Sequence, residues 1–323
     1  MIHATPEMCS DFAYLPALMP RCRTKTTAFS GCETMRMNDV RPSAELCSLS
    51  IDASVATLTL QRSDVYNALN GQLISEIIDI LDWSAHRSVG RTGSLRDHDG
   101  AEYLRVLVLR GAGRHFCAGA DINMMRDAGV KSPDENRTDS ERLDRLFNSL
   151  WSHPCFTIAA VQGVALGGGA GLIACSDHVI ALDSSRIALS EAKLGILPAV
   201  IGPYVYRRVG SAQFRRLAML AGRIDGHEAL NIGMADQVST SLDETTEMVD
   251  AAIATVMSTG PMAVTEAKSL TEALDNWRGT DDDLRQWTLD KTSEMRGSPE
   301  GQEGLSAFLD RRPPAWSPED QDG

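Results

Sequence analysis

The chain has 323 residues, 43% of them hydrophobic and 23% charged, which suffices for one large or two modest globular domains around a sizeable core. A formal net charge of −13 argues against nucleic acid or an anionic membrane surface as the main partner, since both need clustered lysine and arginine. Seven cysteines without paired spacing, no stretch apolar enough to span a membrane and no secretory-signal pattern at the amino terminus together predict a reducing, cytoplasmic setting.

Residues 1–45 mix four prolines with Cys9, Cys22 and Cys32, show no sustained period and are expected to form a poorly ordered extension. An α/β core is expected over residues 46–240. Leu46–Gln61 alternates and reads as two strands around a turn at Asp52-Ala53-Ser54. A polar loop, Arg62–Asn67, follows. Asn70 is placed to cap a helix whose apolar face is Leu73, Ile77, Ile78, Ile80 and Leu81. Ser84–Glu102 is polar and is expected to be a flexible surface loop. Leu104–Leu109 is a strongly apolar strand, Gly111–Gly119 a glycine-rich turn, and Ala120–Met125 opens the next element. Val130–Glu141 reads as polar and mobile, and Leu143–Leu150 as a helix.

Thr157–Val161 and His178–Leu182 read as buried strands. Between them Gly167-Gly168-Gly169 opens a small apolar segment, Ala170–Cys175, suited to a buried helix. Tyr204–Val209, Gln213–Leu220 and Asp225–Asn231 look helical, and Ala235–Ser239 is a short strand. Residues 241–316 are expected to be a helical region, with Met248–Met257, Pro261–Trp277, Asp282–Met295 and Leu305–Arg311 as its helices. Its spare apolar faces suggest packing against a second subunit. Residues 317–323 form an acidic tail.

Three motifs carry chemistry. Arg114–Asn123, RHFCAGADIN, follows a strand; Gly119 permits a tight bend and leaves the amide of Ala120 as a donor, the alternative being a plain strand-to-helix turn capped by Asp121. Gly163–Gly171, GVALGGGAG, either packs a helix closely on a sheet or brings backbone amides to a ligand. It matches neither the dinucleotide nor the phosphate-loop pattern. Two such turns, each after an apolar strand, can place two amides on one oxygen, the geometry of an oxyanion hole. Glu191 in SEAKLG supplies a carboxylate, although a glutamate at a helix start is more commonly a surface residue. His115, His153, His178 and His227 have no metal-ligand spacing, so no metal is expected, and no Gly-x-Ser-x-Gly elbow occurs.

Taken in order and spacing, VATLTLQRSDVYNALN, FCAGADI, AAVQGVALGGGAGL, SEAKLGILPA and GLSAFLDRRPPAW resemble the enoyl-CoA hydratase/isomerase (crotonase) superfamily. The resemblance runs from about Leu46 to Trp316. It implies a spiral of ββα repeats followed by carboxy-terminal helices that assemble into a trimer or a dimer of trimers. It makes the amides of Ala120 and Gly168 an oxyanion hole for the thioester carbonyl of an acyl-CoA, which is substrate rather than cofactor. Arg62, Val65, Ala120, Asp121, Ile122, Asn123 and Gly168 match positions lining coenzyme A. Hydratases of this family carry two glutamates. Glu191 matches the second, whereas the first, twenty residues earlier, is Gly171 here.

Gly171 and the run SEAKLGILPAVIGPYVYRRVG resemble the branch acting on glutaconyl-type thioesters, with Lys193, Arg207 or Arg208 as candidate partners for the second carboxylate of such a substrate. The expected activity is addition of water to an α,β-unsaturated acyl-CoA with Glu191 as acid/base. A Δ3,Δ2-enoyl-CoA isomerase, which needs one carboxylate, and a non-catalytic acyl-CoA binder are the alternatives.

Overall fold

A computed structural model describes residues 40–317. The extension expected over residues 1–45 and the tail 317–323 lie almost wholly outside the described residues.

The strands are β1 Cys47–Asp52, β2 Val55–Leu60, β3 Val106–Gly111, β4 Phe156–Val161, β5 Val164–Leu166, β6 His178–Leu182, β7 Arg186–Ala188 and β8 Gln237–Ser239. The core helices are α1 Gly71–His86, α2 Val89–Thr92, α3 Ile122–Gly129, α4 Pro133–Trp151, α5 Gly168–Ala174, α6 Gly202–Leu220 and α7 Gly226–Asn231. The carboxy-terminal helices are α8 Leu242–Met257, α9 Pro261–Asn276, α10 Asp281–Gly297 and α11 Pro299–Asp310. This is the expected α/β fold of ββα repeats with helices after it.

The main sheet has the order β1-β2-β3-β4-β6-β8, antiparallel at β1–β2 and parallel elsewhere. Its central strands are buried on both faces, which is why β3 reads as an unbroken apolar run. Leu107 and Leu109 point into the larger core with α1, α4 and α5, whereas Val106 and Val108 join Ile158, Ala160 and Ile180 beneath Val249 and Val256 of α8. A second, narrower ladder pairs β5 with β7 in parallel. Single bridges extend it, Cys117 to Ala165 on one side and Ile187 to Ile224 on the other. The sharp turns that leave this second ladder carry the glycine motifs.

Two expectations need correction. The segment 84–102 is not a flexible loop. Helix α1 runs on to His86, Ser84 is buried with its hydroxyl donating to the Leu81 carbonyl at 3.1 Å, and Ser88 caps α2. Polar residues are held inside here because each finds a partner. Nor is 130–141 irregular. Ser132 and Glu135 form a reciprocal capping box, Pro133 takes the first helical position, and Arg137 pairs with Glu141 one turn on at 3.0 Å. Helix α4 therefore begins ten residues before Leu143. The two helices expected over 204–220 are both present within Gly202–Leu220, separated by a kink at Gly210, whose φ of 74° is non-helical.

Candidate active site

Strand β3 ends in a turn that returns along β5, and β5 runs into the triple glycine. Cys117 locks the two together: its amide donates to the Val164 carbonyl at 3.1 Å, and its carbonyl accepts from the Leu166 amide at 3.0 Å. Gly119 then bends with φ 88°. A side chain there would strike the Leu166 carbonyl at 2.5 Å and the Gly168 amide nitrogen at 3.1 Å, so the close approach requires glycine. From Gly168 the neighbouring turn is equally near, since a Cβ on it would lie 3.6 Å from the Ala120 nitrogen.

Among the described residues, neither the Ala120 nor the Gly168 amide donates a hydrogen bond within the chain. For Gly168 the reason is that it opens α5, where the first amides have no preceding carbonyl. For Ala120 it is register. The bridge to Leu69 uses the Leu69 amide with the Gly119 carbonyl (2.7 Å) and the Asp121 amide with the Leu69 carbonyl (2.9 Å), which skips the amide between them.

Glu191 opens a single helical turn, Glu191–Leu194, after β7. Its Oε1 lies 2.9 Å from where a Cβ on Gly167 would stand, so glycine at 167, with φ 49°, makes room for the carboxylate next to Gly168. Its Oε2 is buried without a hydrogen-bond partner among the described residues. Burial pushes the carboxyl above its ordinary value of 4.5, against a smaller opposing pull from its own backbone amide. A half-buried carboxylate with an unspent oxygen, beside two unspent amides, is suited to moving a proton next to a developing oxyanion.

The position of the first family glutamate is closed. Gly171 lies fully inside α5, and a Cβ on it would meet Ile201 Cγ2 at 2.5 Å and Phe147 Cε1 at 2.9 Å. Apolar side chains occupy the space a carboxylate would need.

The family model for enoyl-CoA hydratase/isomerase matches residues 50–319. The chain belongs to the enoyl-CoA hydratase/isomerase family. It is 27% identical to the putative enoyl-CoA hydratase/isomerase YhaR of Bacillus subtilis, over 84% of this chain and 99% of that one. It is 31% identical to the 1,2-epoxyphenylacetyl-CoA isomerase of Escherichia coli, over 83% and 96% respectively. Among solved structures, an enoyl-CoA hydratase from Shewanella pealeana superposes with a TM-score of 0.76 at 34% identity, covering 85% of this chain and 97% of its own. The chain is an enzyme of this hydratase/isomerase type.

The other residues singled out in the sequence divide into two groups. Arg62 and Asp121 meet at 3.3 Å, and Asp121 also caps α3 through the Asn123 amide. Asp121 is therefore the helix cap of the plain turn reading, and it directly follows the Ala120 amide. Val65, Ile122 and Asn123 sit exposed around this pair. Of the three cations considered for a second carboxylate, Arg208 is committed to Asp236 (2.6 Å) and to the carbonyls of Met234 and Ser176, and Arg207 pairs with Asp275 (3.2 Å) against Trp151. Lys193, in the Glu191 turn, forms no ion pair among the described residues. Sequence reading singled out neither Asn67 nor Cys117 for the site; most of their hydrogen bonds join them to segments distant in sequence. No single described helix is long and apolar enough to cross a membrane.

Proposed function

We propose that this enzyme adds water to an α,β-unsaturated acyl-CoA. The amides of Ala120 and Gly168 receive the thioester oxygen as it becomes an enolate, each contributing on the order of 3 kcal/mol in the transition state. Water delivers its hydroxyl to the β-carbon and a proton reaches the α-carbon, with Glu191 activating the water or delivering that proton. The observation that carries the reading is the Glu191 carboxylate, whose Oε2 is buried and unpartnered among the described residues and whose Oε1 lies beside Gly167, one residue from the free Gly168 amide.

Coenzyme A enters as part of the substrate and no resident cofactor is needed. Arg62, Val65, Asp121, Ile122 and Asn123 line its path; exposed apolar Val65 and Ile122 around the Arg62–Asp121 pair support that placement. A glutaconyl-type acyl group remains the preferred substrate, with Lys193 as the one cation of the three left to meet its second carboxylate. A reducing, cytoplasmic setting is supported by four buried free thiols, Cys47, Cys117, Cys155 and Cys175. A homotrimer or dimer of trimers is the proposed assembly, with no nucleic acid or membrane partner.

A Δ3,Δ2-enoyl-CoA isomerase is the second reading, favoured by the apolar filling at Gly171. One carboxylate suffices to carry a proton between two carbons. Purified enzyme assayed with crotonyl-CoA, 3-methylglutaconyl-CoA and 3-hexenoyl-CoA separates the two: hydration of either of the first supports the leading reading, and turnover of the third alone supports the second. Glu191→Gln should abolish either reaction. Full activity in that variant removes Glu191 from the mechanism.

A further inference from the structure

The side chain of Asn67 is buried, and its hydrogen bonds tie the Arg62 backbone to the turn 112–116 that leads towards Ala120. Its Oδ1 accepts from the Arg62 amide at 2.9 Å. Its Nδ2 is shared among the carbonyls of Ala112 (3.0 Å), His115 (2.7 Å) and Phe116 (3.2 Å), the turn that leads to Cys117. The backbone of Asn67 is held in the left-handed region, φ 56°, which aims its own carbonyl at the Cys117 thiol; that thiol donates to it at 3.2 Å. The same sulfur accepts from the Gly119 amide at 3.4 Å.

Cys117 therefore touches both turns of the site. Its main chain registers β5, which ends at Gly167-Gly168, and its sulfur fixes the peptide that precedes Ala120. We infer that Asn67 and Cys117 are positioning residues that set the spacing and aim of the Ala120 and Gly168 amides. The inference rests on the oxyanion reading given under Proposed function. Neither side chain reaches the reacting atoms. What they fix is the direction of donors whose value depends on aim, where an error of about 1 Å costs on the order of a hundredfold in rate. The thiol suits the task because sulfur is larger than a hydroxyl oxygen and its hydrogen bonds are long and weak, so it fills the space without drawing Gly119 inward.

The test uses Asn67→Gly, which tolerates the left-handed backbone while removing the carboxamide, and Cys117→Ala beside Cys117→Ser, which keeps a donor and an acceptor. Each is loaded with unreactive butyryl-CoA labelled with carbon-13 at the carbonyl, and the infrared carbonyl stretch is compared with that of free ligand. The wild type is expected to show a shift to lower frequency. Asn67→Gly and Cys117→Ala should lose at least half of that shift and about tenfold in kcat, with KM changed less than twofold, and Cys117→Ser should fall between.

A full shift and unchanged kcat in both Asn67→Gly and Cys117→Ala overturn the inference, as does a loss seen only in KM. If one of the two variants fails to fold, judged by its thermal transition, the other decides. An unshifted carbonyl in the wild type with no turnover overturns the proposed function itself, and the inference falls with it.

Discussion

At the scale of single residues, the site turns on where one carboxylate stands and where a second cannot. Burial holds Glu191 above its ordinary value of 4.5, so its protonated form is favoured in the folded chain relative to the unfolded one. The native state then binds more protons, and stability attributable to this group falls as pH rises from about 4.5 through the raised folded value. Glu191→Gln should accordingly lose activity and gain thermal stability at pH 8, the gain shrinking to nothing below pH 4.5. A variant less stable than wild type at pH 8 would contradict the assigned environment. Gly171 allows a second test. In a helix interior Gly→Ala ordinarily gains about 1 kcal/mol, while overpacking a core costs about 1–3 kcal/mol. Contacts of 2.5 and 2.9 Å to Ile201 and Phe147 decide for the cost, so Gly171→Ala should lower the denaturation midpoint. Against an Ile201→Ala background the same change should cost less, a coupling that chemical denaturation of the double-mutant cycle reads directly.

At the scale of elements, what the sequence revealed depended on whether local pattern or distant partners fixed the structure. Strand β6 is found where its apolar run predicted it, and Asn70 caps α1 with its side chain accepting from the Leu73 amide. The glycine motifs and Glu191 were legible because order and spacing along the chain mark them. The polar start of α4 was misread because it has few apolar positions and relies on its capping box, and the segment 84–102 because its buried serines are satisfied by the carbonyls of the preceding helical turn, Leu81 for Ser84 and Ala85 for Ser88. Asn67 and Cys117 were unreadable for another reason: the bonds of the Asn67 carboxamide to Ala112, His115 and Phe116, and of the Cys117 main chain to β5, join segments far apart in sequence. His153 is the sharpest case. It lies buried between α1 and β4, with Nε2 3.0 Å from the Ser84 hydroxyl and Nδ1 accepting from the Cys155 amide at 3.2 Å. An accepting Nδ1 places the ring proton on Nε2. Burial, helped by the Lys268 charge, lowers its pKa from 6.5 to about 3. The unfolded chain therefore binds the extra proton first, and stability falls as pH is lowered from 6.5 towards 3, by up to about 1.4 kcal/mol per pH unit. Urea midpoints between pH 4 and 7 should show a shallower slope in His153→Asn than in the wild type; equal slopes would mean that His153 is not the group being titrated.

At the scale of the whole molecule, the carboxy-terminal helices divide into a part tied to the core and a part that displays large apolar side chains. Buried Arg105 donates to the carbonyls of Val256 (2.9 Å), Thr259 (2.7 Å) and Trp316 (3.0 Å). Lys268 of α9 donates to those of His153 (2.7 Å) and Cys155 (2.9 Å) and pairs with Asp177. Through these cations, and through α8 beneath the sheet, the first half of the region belongs to the core. The last two helices differ. Leu289 of α10 and Leu305, Phe308 and Leu309 of α11 are at least half exposed, Phe308 and Leu309 at 82% and 78%. Large apolar side chains displayed together on the final helices are costly in water unless another surface covers them. A second copy of the same chain is the partner proposed above, and closed symmetric assembly would bury the same face of every subunit. Light scattering should then give a native mass several times the 35.0 kDa of one chain. Replacing Phe308 and Leu309 together by aspartate should reduce that mass to a single chain while leaving the far-ultraviolet circular dichroism intact, because neither side chain contributes to the buried core. A wild-type mass of one chain, or an assembly indifferent to both substitutions, would show that this face is not where the subunits meet.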